Sequence, residues 1–238
     1  MPPEPPLKLN QLAVVIPTLN ERDGIRDLLL SLAPLRDQGA QIVVVDGEST
    51  DDTVARLGNE VDQVLVIPKG RARQMNAGAK ATDAQWLWFL HADSRVTPML
   101  ITEIMQRCGD VRAWACCDVW IEGQSKGLKV IGLFMNLRSR LSGIATGDQG
   151  LLIHRQAFVS VGGFLEQPLM EDVAMSAALR RQFGRPQRFK RKLGTSGRRW
   201  EVGGLLRTQL RMWWVRWLYW RGVSPSVLAA QYRPEQKG

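Results

Sequence analysis

Short apolar runs alternate with helical patterns through the first 92 residues, and this alternation constrains the fold more than any other feature. The apolar runs have the length of strands, and they are Leu12–Pro17, Gln41–Asp46, Val61–Ile67 and Gln85–His91. Strands that are apolar on both faces and separated by helices form parallel sheets with helices on both sides. We therefore predict an α/β fold with a mostly parallel central sheet between two layers of helices.

Three helices are expected between these strands. The first covers Arg22–Leu35, where leucines recur at helical spacing and Asn20 is the expected N-cap. The second begins where Ser49 and Asp52 match a capping box. The third covers Ala72–Ala81 and completes the alternation.

After residue 93 the pattern is less regular. Helices are predicted at Met99–Arg107, Gly127–Leu141, Glu171–Gln182 and Leu205–Trp220, and strands at Ala113–Ile121 and Leu151–His154. No internal repeat and no linker between independent domains is apparent. We expect a flexible N-terminus at residues 1–10, one domain at residues 11–200, and a basic helical extension rich in Trp and Arg at residues 201–238.

The formal net charge of +9 is unevenly distributed. Residues 1–179 hold 17 basic and 21 acidic side chains, a net charge of −4, whereas residues 180–238 hold 15 and 2, a net charge of +13. This division argues against a protein that coats nucleic acid, and we expect no nucleic-acid partner. It indicates an acidic body with a basic C-terminal face.

The three cysteines are too few and too clustered for a disulfide framework, which favours a reducing compartment. The Pro-rich start MPPEPPLKLNQ lacks the apolar segment of a signal peptide. No run reaches the ~18 apolar residues of a membrane span. We expect a cytoplasmic protein, and its basic part would meet the inner face of the membrane.

Polar residues follow each predicted strand, where open parallel sheets bind ligands. These strand ends read Pro17-Thr18-Leu19-Asn20-Glu21, Asp46-Gly47-Glu48-Ser49, Lys69-Gly70-Arg71-Ala72-Arg73 and His91-Ala92-Asp93. Acidic side chains can bind hydroxyls or a divalent metal, and the cations can bind a diphosphate. The alternative is that the acids and Asn20 only cap helices, but capping does not require Arg71 and Arg73 at the same edge.

Two common nucleotide motifs are missing from the sequence. No G-x-G-x-x-G follows the first strand and no G-x-x-x-x-G-K-[ST] occurs anywhere, which disfavours a dinucleotide dehydrogenase and a P-loop ATPase. The first loop, PTLNERDG, also lacks the Gly-rich segment with a Lys that is typical of nucleotidyltransferases. A nucleotidyltransferase is nevertheless kept as an alternative.

Five motifs resemble the family-2 glycosyltransferases of the GT-A fold. They are VVIPTLNE, VVVDGESTDDT, GRARQMNAGA, an apolar strand ending in HAD, and GGFLEQPLMED, in order from about residue 12 to residue 181. GDQG, PLMED and SGRRWE resemble a small bacterial subgroup, the transferases associated with radical-SAM and selenium-domain proteins. The resemblance implies a Rossmann-like sandwich that transfers a sugar from a nucleotide diphosphate to an acceptor hydroxyl, with inversion at the anomeric carbon.

The resemblance also implies a nucleotide-sugar pocket at the strand ends. Its members would be Pro17, Thr18, Asn20, Glu21, Asp46, Glu48, Arg71, Arg73, Asn76, His91 and Asp93. Asp46 would bond the base, and Arg71 would face the base or the phosphates.

His91-Ala92-Asp93 takes the place of the D-x-D motif, whose carboxylates hold a ribose and a divalent metal. The resemblance therefore implies Mn²⁺ or Mg²⁺ as the cofactor, with Asp93 and His91 as ligands. A neutral imidazole ligates Mn²⁺ better than Mg²⁺, or it contacts the ribose alone. The sequence leaves the identity of the metal, and metal dependence itself, open.

Two acids and two further motifs would lie near the acceptor. The resemblance implies that Asp172, beside Glu171, is the general base, although acids also favour the first turn of a helix. Asp148 and Gln149 would contact the acceptor or the sugar, or simply form a turn. The segment SGRRW resembles the Q-x-x-R-W motif, in which Arg199 would meet the diphosphate and Trp200 would stack on the acceptor. Its alternative is a basic surface loop anchored by one Trp.

The helix predicted at Leu205–Trp220 carries an apolar stripe formed by Leu206, Leu210, Trp213, Trp217 and Trp220. Arg207 and Arg211 lie on an adjacent face, whereas Arg216 lies opposite. Trp beside Arg suits an anionic membrane surface and a lipid-linked acceptor. The alternatives are packing against the domain or against a second subunit, as in a homodimer. A non-catalytic protein that binds nucleotide or a membrane surface is a further alternative.

Overall fold

The computed structural model describes residues 9–231, so most of the predicted flexible N-terminus lies outside the described residues. The strands are β1 (Leu12–Thr18), β2 (Gln41–Asp46), β3 (Gln63–Val66), β4 (Trp86–Phe89), β5 (Ser94–Arg95), β6 (Trp114–Cys116), β7 (Val119–Glu122), β8 (Leu151–His154), β9 (Gln187–Arg188) and β10 (Leu193–Ser196). The α-helices are α1 (Ile25–Arg36), α2 (Arg71–Lys80), α3 (Pro98–Arg107), α4 (Gly127–Ser142), α5 (Arg155–Ser160), α6 (Glu171–Phe183), α7 (Arg198–Gly203), α8 (Leu205–Trp220) and α9 (Pro225–Gln231).

A seven-stranded sheet with the order β3-β2-β1-β4-β8-β6-β9 forms the centre of the molecule. Strands β3, β2, β1 and β4 are parallel, and β8 runs antiparallel to both β4 and β6. A small second sheet has the order β5-β10-β7. The predicted α/β class with a mostly parallel sheet is confirmed.

Both faces of the sheet are covered by helices, as predicted. Every residue of β1 is buried, and its alternate side chains enter two different core clusters. One cluster joins the sheet to α1 and α3, and the other joins it to α2, α5 and α6. Gly78 allows α2 to approach the sheet closely, because a Cβ there would collide with Val15.

Two predicted helix starts are wrong because loop side chains bond elsewhere. The segment after Ser49 forms only a 3₁₀ turn at Val54–Arg56, since the Ser49 hydroxyl and backbone N–H bond Asp46 instead of capping a helix. The helix α1 begins after Gly24, while the side-chain carbonyl of Asn20 accepts from Thr50 N–H at 2.9 Å. Short polar side chains often choose such local bonds over capping.

The strand predicted at Ala113–Ile121 is also divided. Its first part, β6, belongs to the central sheet, and its second part, β7, belongs to the small sheet. The break falls at Asp118, whose carboxylate pairs with Arg140 at 2.6 Å and Arg188 at 3.0 Å. The two arginines come from distant parts of the chain, so the local pattern could not reveal the break.

The helix α8 has the predicted bounds, and only Val215 among its residues is buried. The predicted apolar stripe, Leu206, Leu210, Trp213, Trp217 and Trp220, is 45–79% exposed, and we call it the exposed stripe. The helix packs against α4, with the rings of Phe134 and Trp213 in an edge-to-face contact at 6.4 Å. None of the helices between residues 9 and 231 is long and apolar enough to cross a membrane.

Candidate active site

Hydrogen bonds join the carboxyl ends of β1 and β2. The buried Asp46 carboxylate accepts from the Thr18 hydroxyl at 3.2 Å and from Ser49 N–H at 2.7 Å. The buried amide of Gln74 on α2 donates to the carbonyls of Thr18 and Val45 at 2.8 and 2.7 Å. The sequence analysis missed Gln74, which holds the two strand ends in register.

The loops that follow these strands are exposed and strained. Asn20 and Glu48 have φ values of 55° and 63°, a left-handed conformation that is costly for residues other than glycine. Both side chains are exposed, while Pro17 is buried within β1. The structure therefore places these predicted pocket residues together at one edge of the sheet, with the backbone held in an unusual shape.

Glu21 and Asp93 form an acidic pair beside this edge. Burial, followed by the charge of Asp93, raises the pKa of Glu21, although Arg198, His91 and Arg71 oppose the shift. Arg198 lies 3.7 Å from the Glu21 carboxylate. Acids from the loops after β1 and β4 thus lie near cations from α2 and α7.

The helix α2 directs its predicted cations to different partners. The Arg71 guanidinium lies 3.3 Å from the carboxylate of Glu171, and Arg73 lies 3.5 Å from Glu166. The Asn76 amide both donates to and accepts from the backbone of Phe164. Asn76 therefore fastens the loop before α6, and Arg71 connects α2 to the acids at the start of α6.

Glu171 and Asp172 occupy the first turn of α6, as expected. The Asp172 carboxylate accepts from Gly147 N–H at 2.8 Å and is half-buried, whereas Glu171 is buried. Burial, followed by the charge of Asp172, raises the pKa of Glu171. Burial lowers the pKa of Arg71, but the charges of Glu171, Asp172 and Asp148 outweigh it and raise the pKa overall. Arg71 therefore stays a cation beside the acid pair.

His91 and Asp148 form a second pair next to these acids. The imidazole Nδ1 lies 3.2 Å from the Asp148 carboxylate, and a Cβ on Gly147 would collide with the ring near Nε2. Burial raises the pKa of Asp148, but the hydrogen bond and charge of His91, then Arg199 and Arg71, lower it overall. Both edges of the His91 ring are occupied, which places it as a partner of Asp148.

The described residues fit a divalent metal that takes most of its ligands from the substrate. No group of three His, Cys, Asp or Glu side chains within residues 9–231 could hold a metal ion. Mg²⁺ in nucleotide enzymes commonly takes one or two protein carboxylates and completes its shell with phosphates and water. The half-buried carboxylate of Asp93 fits this arrangement, in which the substrate supplies most ligands.

Two predicted acceptor residues are buried in structural positions. The Gln149 amide donates to the Cys117 carbonyl at 3.0 Å and accepts from Thr146 N–H at 3.2 Å. Trp200 is 3% exposed and packs in a cluster that includes Leu128 and Ile131. These placements fit the turn and the anchoring Trp, the alternatives that the sequence left open, while Arg199 is exposed and acts on Asp148.

The sequence model of glycosyl transferase family 2 matches residues 13–161, which is more than half of the 238 residues. The chain belongs to glycosyl transferase family 2. It is an enzyme of the GT-A fold, as the five motifs predicted. No curated protein matches the chain at a significant level.

Solved structures show the same fold as this glycosyltransferase. Glucosyl-3-phosphoglycerate synthase of Mycobacterium tuberculosis, solved with Mn²⁺, UDP and glucosyl-3-phosphoglycerate, is 18% identical with a TM-score of 0.57 over 78% of this chain and 70% of that chain. The complex of the same enzyme with UDP is 19% identical, with a TM-score of 0.59 over 84% of this chain and 77% of that chain. S. aureus TarS 1-349 with UDP is 17% identical, with a TM-score of 0.60 over 78% of this chain and 60% of that chain. At these identities the likeness shows the fold alone.

Two further arginines of the glycosyltransferase, to which no sequence motif assigned a role, lie near the acids. Burial, followed by the nearby charge of Arg216, lowers the pKa of Arg138 to about 10. Burial also lowers the pKa of Arg216, and Asp172 and Asp148 act on both arginines in the opposite direction. The one available signal was the position of Arg216 opposite the apolar stripe of its helix.

Proposed function

We propose that this glycosyltransferase inverts the anomeric carbon of a nucleotide-diphosphate sugar, with Asp172 as the general base. The observation that carries the proposal is the position of the Asp172 carboxylate. Gly147 N–H holds it at 2.8 Å, and it lies beside the Arg71–Glu171 pair of α2 and α6. Val173 N–H also donates to Asp172 Oδ1, at 2.7 Å, so each carboxylate oxygen accepts one backbone bond. Each oxygen of this half-buried carboxylate therefore keeps a lone pair for an acceptor hydroxyl.

The proposed reaction is one displacement. The acceptor oxygen attacks the anomeric carbon while the bond from that carbon to the diphosphate oxygen breaks. The acceptor proton passes to Asp172, and the nucleoside diphosphate leaves with the bonding electrons. Arg71 and Arg199 are the cations that would meet the leaving group, because both lie close enough to the site to lower the pKa of Asp148.

The donor would lie at the edge formed by β1, β2 and β4. The neighbouring structures contain UDP, with Mn²⁺ or Mg²⁺ in several of them, which supports a nucleoside diphosphate and a divalent metal. Asp93 is the residue that would hold the metal. When bound, such a metal neutralises charge on the leaving diphosphate. His91 would orient Asp148 through the hydrogen bond that joins them.

A panel of donors tests this proposal. The purified protein is screened by thermal shift with UDP-, GDP-, ADP-, CDP- and dTDP-sugars, with Mn²⁺ or Mg²⁺, and released nucleoside diphosphate is then measured. We expect at least one donor both to raise the melting temperature and to turn over. Binding without any turnover would favour the non-catalytic alternative. Release of pyrophosphate from a nucleoside triphosphate and a sugar phosphate would favour the nucleotidyltransferase.

We also propose that the exposed stripe of α8 contacts an anionic membrane surface. Its Trp and Leu side chains are exposed, and the part of the chain that carries it has a net charge of +13. We expect the protein to float with vesicles that contain phosphatidylglycerol and not with pure phosphatidylcholine vesicles. No flotation, together with a dimer by light scattering, would assign the stripe to a second copy of the chain.

A further inference from the structure

A cavity of about 610 Å³ lies between α4 and α8, and we call it the α4–α8 cleft. Its apolar lining comes from Leu137 and Leu141 of α4 and from Trp213 and Trp217 of α8. The two tryptophans also belong to the exposed stripe, so the apolar lining is continuous with the outer surface of α8. A hydrocarbon chain could therefore pass from the stripe into the cleft without crossing a polar surface.

Two arginines, Arg138 and Arg216, line this apolar cleft. Arg138 Nη2 and Arg216 Nε are buried without a hydrogen-bond acceptor among residues 9–231, and Arg138 Nη1 makes only a long contact of 3.4 Å to the Ile144 carbonyl. Nearby Arg140, on the same helix as Arg138, pairs with Asp118 at 2.6 Å. Guanidinium nitrogens that are buried without an acceptor are costly, so the two half-buried arginines are placed for an anion from outside the chain.

The proposed general base lies near the cleft without lining it. Asp172 and Asp148 both act electrostatically on Arg138 and Arg216. The segment 144–147 connects the two features, because the Ile144 carbonyl contacts Arg138 and Gly147 N–H bonds Asp172. An anion on the arginines would thus lie in the neighbourhood of the carboxylate that accepts the proton.

We propose that the α4–α8 cleft binds the acceptor, and that the acceptor is a phospholipid whose head group carries a hydroxyl. Its phosphate would lie on Arg138 and Arg216, since guanidinium groups bind phosphate oxygens in pairs. Its hydrocarbon chain would lie along the Trp-lined wall. A hydroxyl next to the phosphate would reach Asp172 and lose its proton there. Its oxygen would form the new bond to the anomeric carbon while the bond from that carbon to the diphosphate breaks and the nucleoside diphosphate leaves. This assignment rests on the proposed function, which it deepens by naming the acceptor class.

Binding of a soluble short-chain lipid tests the proposal without a donor. Calorimetry is run with dihexanoyl-phosphatidylglycerol below its micelle concentration on the full chain and on Arg138→Gln, Arg216→Gln and Arg207→Gln. Arg207 is an exposed arginine of the same helix, so its variant removes the same charge outside the cleft. We expect each cleft variant to weaken binding about tenfold or more, as for the loss of a charge-assisted hydrogen bond, and Arg207→Gln to bind like the wild type.

Two further ligands separate the sources of affinity. Glycerol 3-phosphate carries the phosphate without the chains, and monohexanoylglycerol carries a chain without the phosphate. We expect both to bind more weakly than the phospholipid. Equal binding of glycerol 3-phosphate would overturn the lipid assignment, and equal binding of monohexanoylglycerol would overturn the arginine site.

Two controls show whether a variant has unfolded or whether the proposed glycosyl transfer itself is wrong. Each variant must bind the nucleoside diphosphate found in the donor panel like the wild type, and Arg216→Lys, which keeps the charge, should retain part of the lipid affinity. A wild-type protein that turns over its donor but does not bind the phospholipid would overturn the acceptor assignment alone. Equal loss of lipid binding in Arg207→Gln would also overturn it.

Discussion

The edge of the sheet and the α4–α8 cleft differ in how their polar side chains are hydrogen-bonded. At the edge, Asp46, Asn20 and Asn76 each bond other groups of the chain. In the cleft, Arg138 and Arg216 keep buried nitrogens without an acceptor among residues 9–231. If the two regions bind donor and acceptor as we propose, the donor side is shaped before its ligand binds, whereas the acceptor side is completed by its ligand.

The charge of the chain is also divided, with a net charge of −4 over residues 1–179 and +13 over residues 180–238. Glu171 and Asp172 lie near the end of the acidic part, while Arg199 and Arg216 come from the part with a net charge of +13. These arginines act on Asp148 and Asp172. The proposed reaction centre therefore forms where the acidic and basic parts of the chain meet.

The largest effect is expected at that meeting point. Asp172→Asn keeps the shape of the side chain and removes its basicity, so we expect turnover to fall about 10²–10⁴-fold, with donor binding preserved. The matched control is Glu166→Gln, which neutralises an exposed acid on the loop before α6. Release of nucleoside diphosphate and donor binding are measured on both variants, and wild-type turnover by Asp172→Asn would exclude it as the base.

His91→Asp tests whether the donor edge is already complete. The change restores a D-x-D motif, but it places a carboxylate next to Asp148 in place of a hydrogen-bonding imidazole. We expect a loss of about 1–2 kcal/mol in the free energy of unfolding, and no gain in Mn²⁺-dependent activity. Urea melts and metal titrations measure both, with His91→Asn as the uncharged control. Tighter Mn²⁺ dependence with higher activity would instead identify position 91 as a metal ligand.

The pH profile depends on Glu171, whose pKa is raised from 4.5 by burial and by the charge of Asp172. When the pH falls through that raised pKa, Glu171 takes a proton and Arg71 loses its ionic partner, so we expect kcat/KM to fall at a pH above 4.5. Because the folded state holds this proton more tightly than the unfolded chain, the stabilising contribution is full at acid pH and is lost as the pH rises through the raised pKa. Glu171→Gln should move the acid limb of kcat/KM, and an unchanged limb would contradict the assignment.

The smallest effect is expected in the cleft without ligand. Arg216→Met replaces a half-buried cation, whose Nε is buried without an acceptor among residues 9–231, by an apolar side chain of similar length. We therefore expect stability to rise by about 1 kcal/mol. Arg207→Met on the exposed side of the same helix is the control, and urea melts compare the two. A clear loss of stability in Arg216→Met would mean that the arginine already has its hydrogen-bond or ionic partners within the chain.

Local pattern was sufficient for the elements whose side chains face one core. Local pattern predicted β1, β2 and the bounds of α8. The motifs indicated the family. Local pattern failed where a distant partner decides the structure, as for Ser49, which bonds Asp46, and for Asp118, which breaks a strand. The division into residues 1–10, 11–200 and 201–238, the subgroup resemblance and the individual site roles stay predictions.

Local sequence pattern also failed to predict that Arg138 and Arg216 lie together in the cleft. Arg138 and Arg216 are far apart in the sequence, and they become neighbours only because α8 packs against α4. Periodicity placed Arg216 away from the apolar stripe, but it could not show that Arg138 would lie beside it. The donor edge was easier to predict, since parallel strands bring their carboxyl ends together in any sheet of this class.

A crossed binding experiment tests the separation of donor and acceptor sites most directly. The nucleoside diphosphate of the preferred donor and dihexanoyl-phosphatidylglycerol are each titrated by calorimetry into the wild type, Arg71→Gln and Arg216→Gln. The account predicts that Arg71→Gln weakens only the nucleotide, that Arg216→Gln weakens only the lipid, and that the wild type binds both ligands at once. Competition between the two ligands, or equal loss of both in one variant, would contradict it.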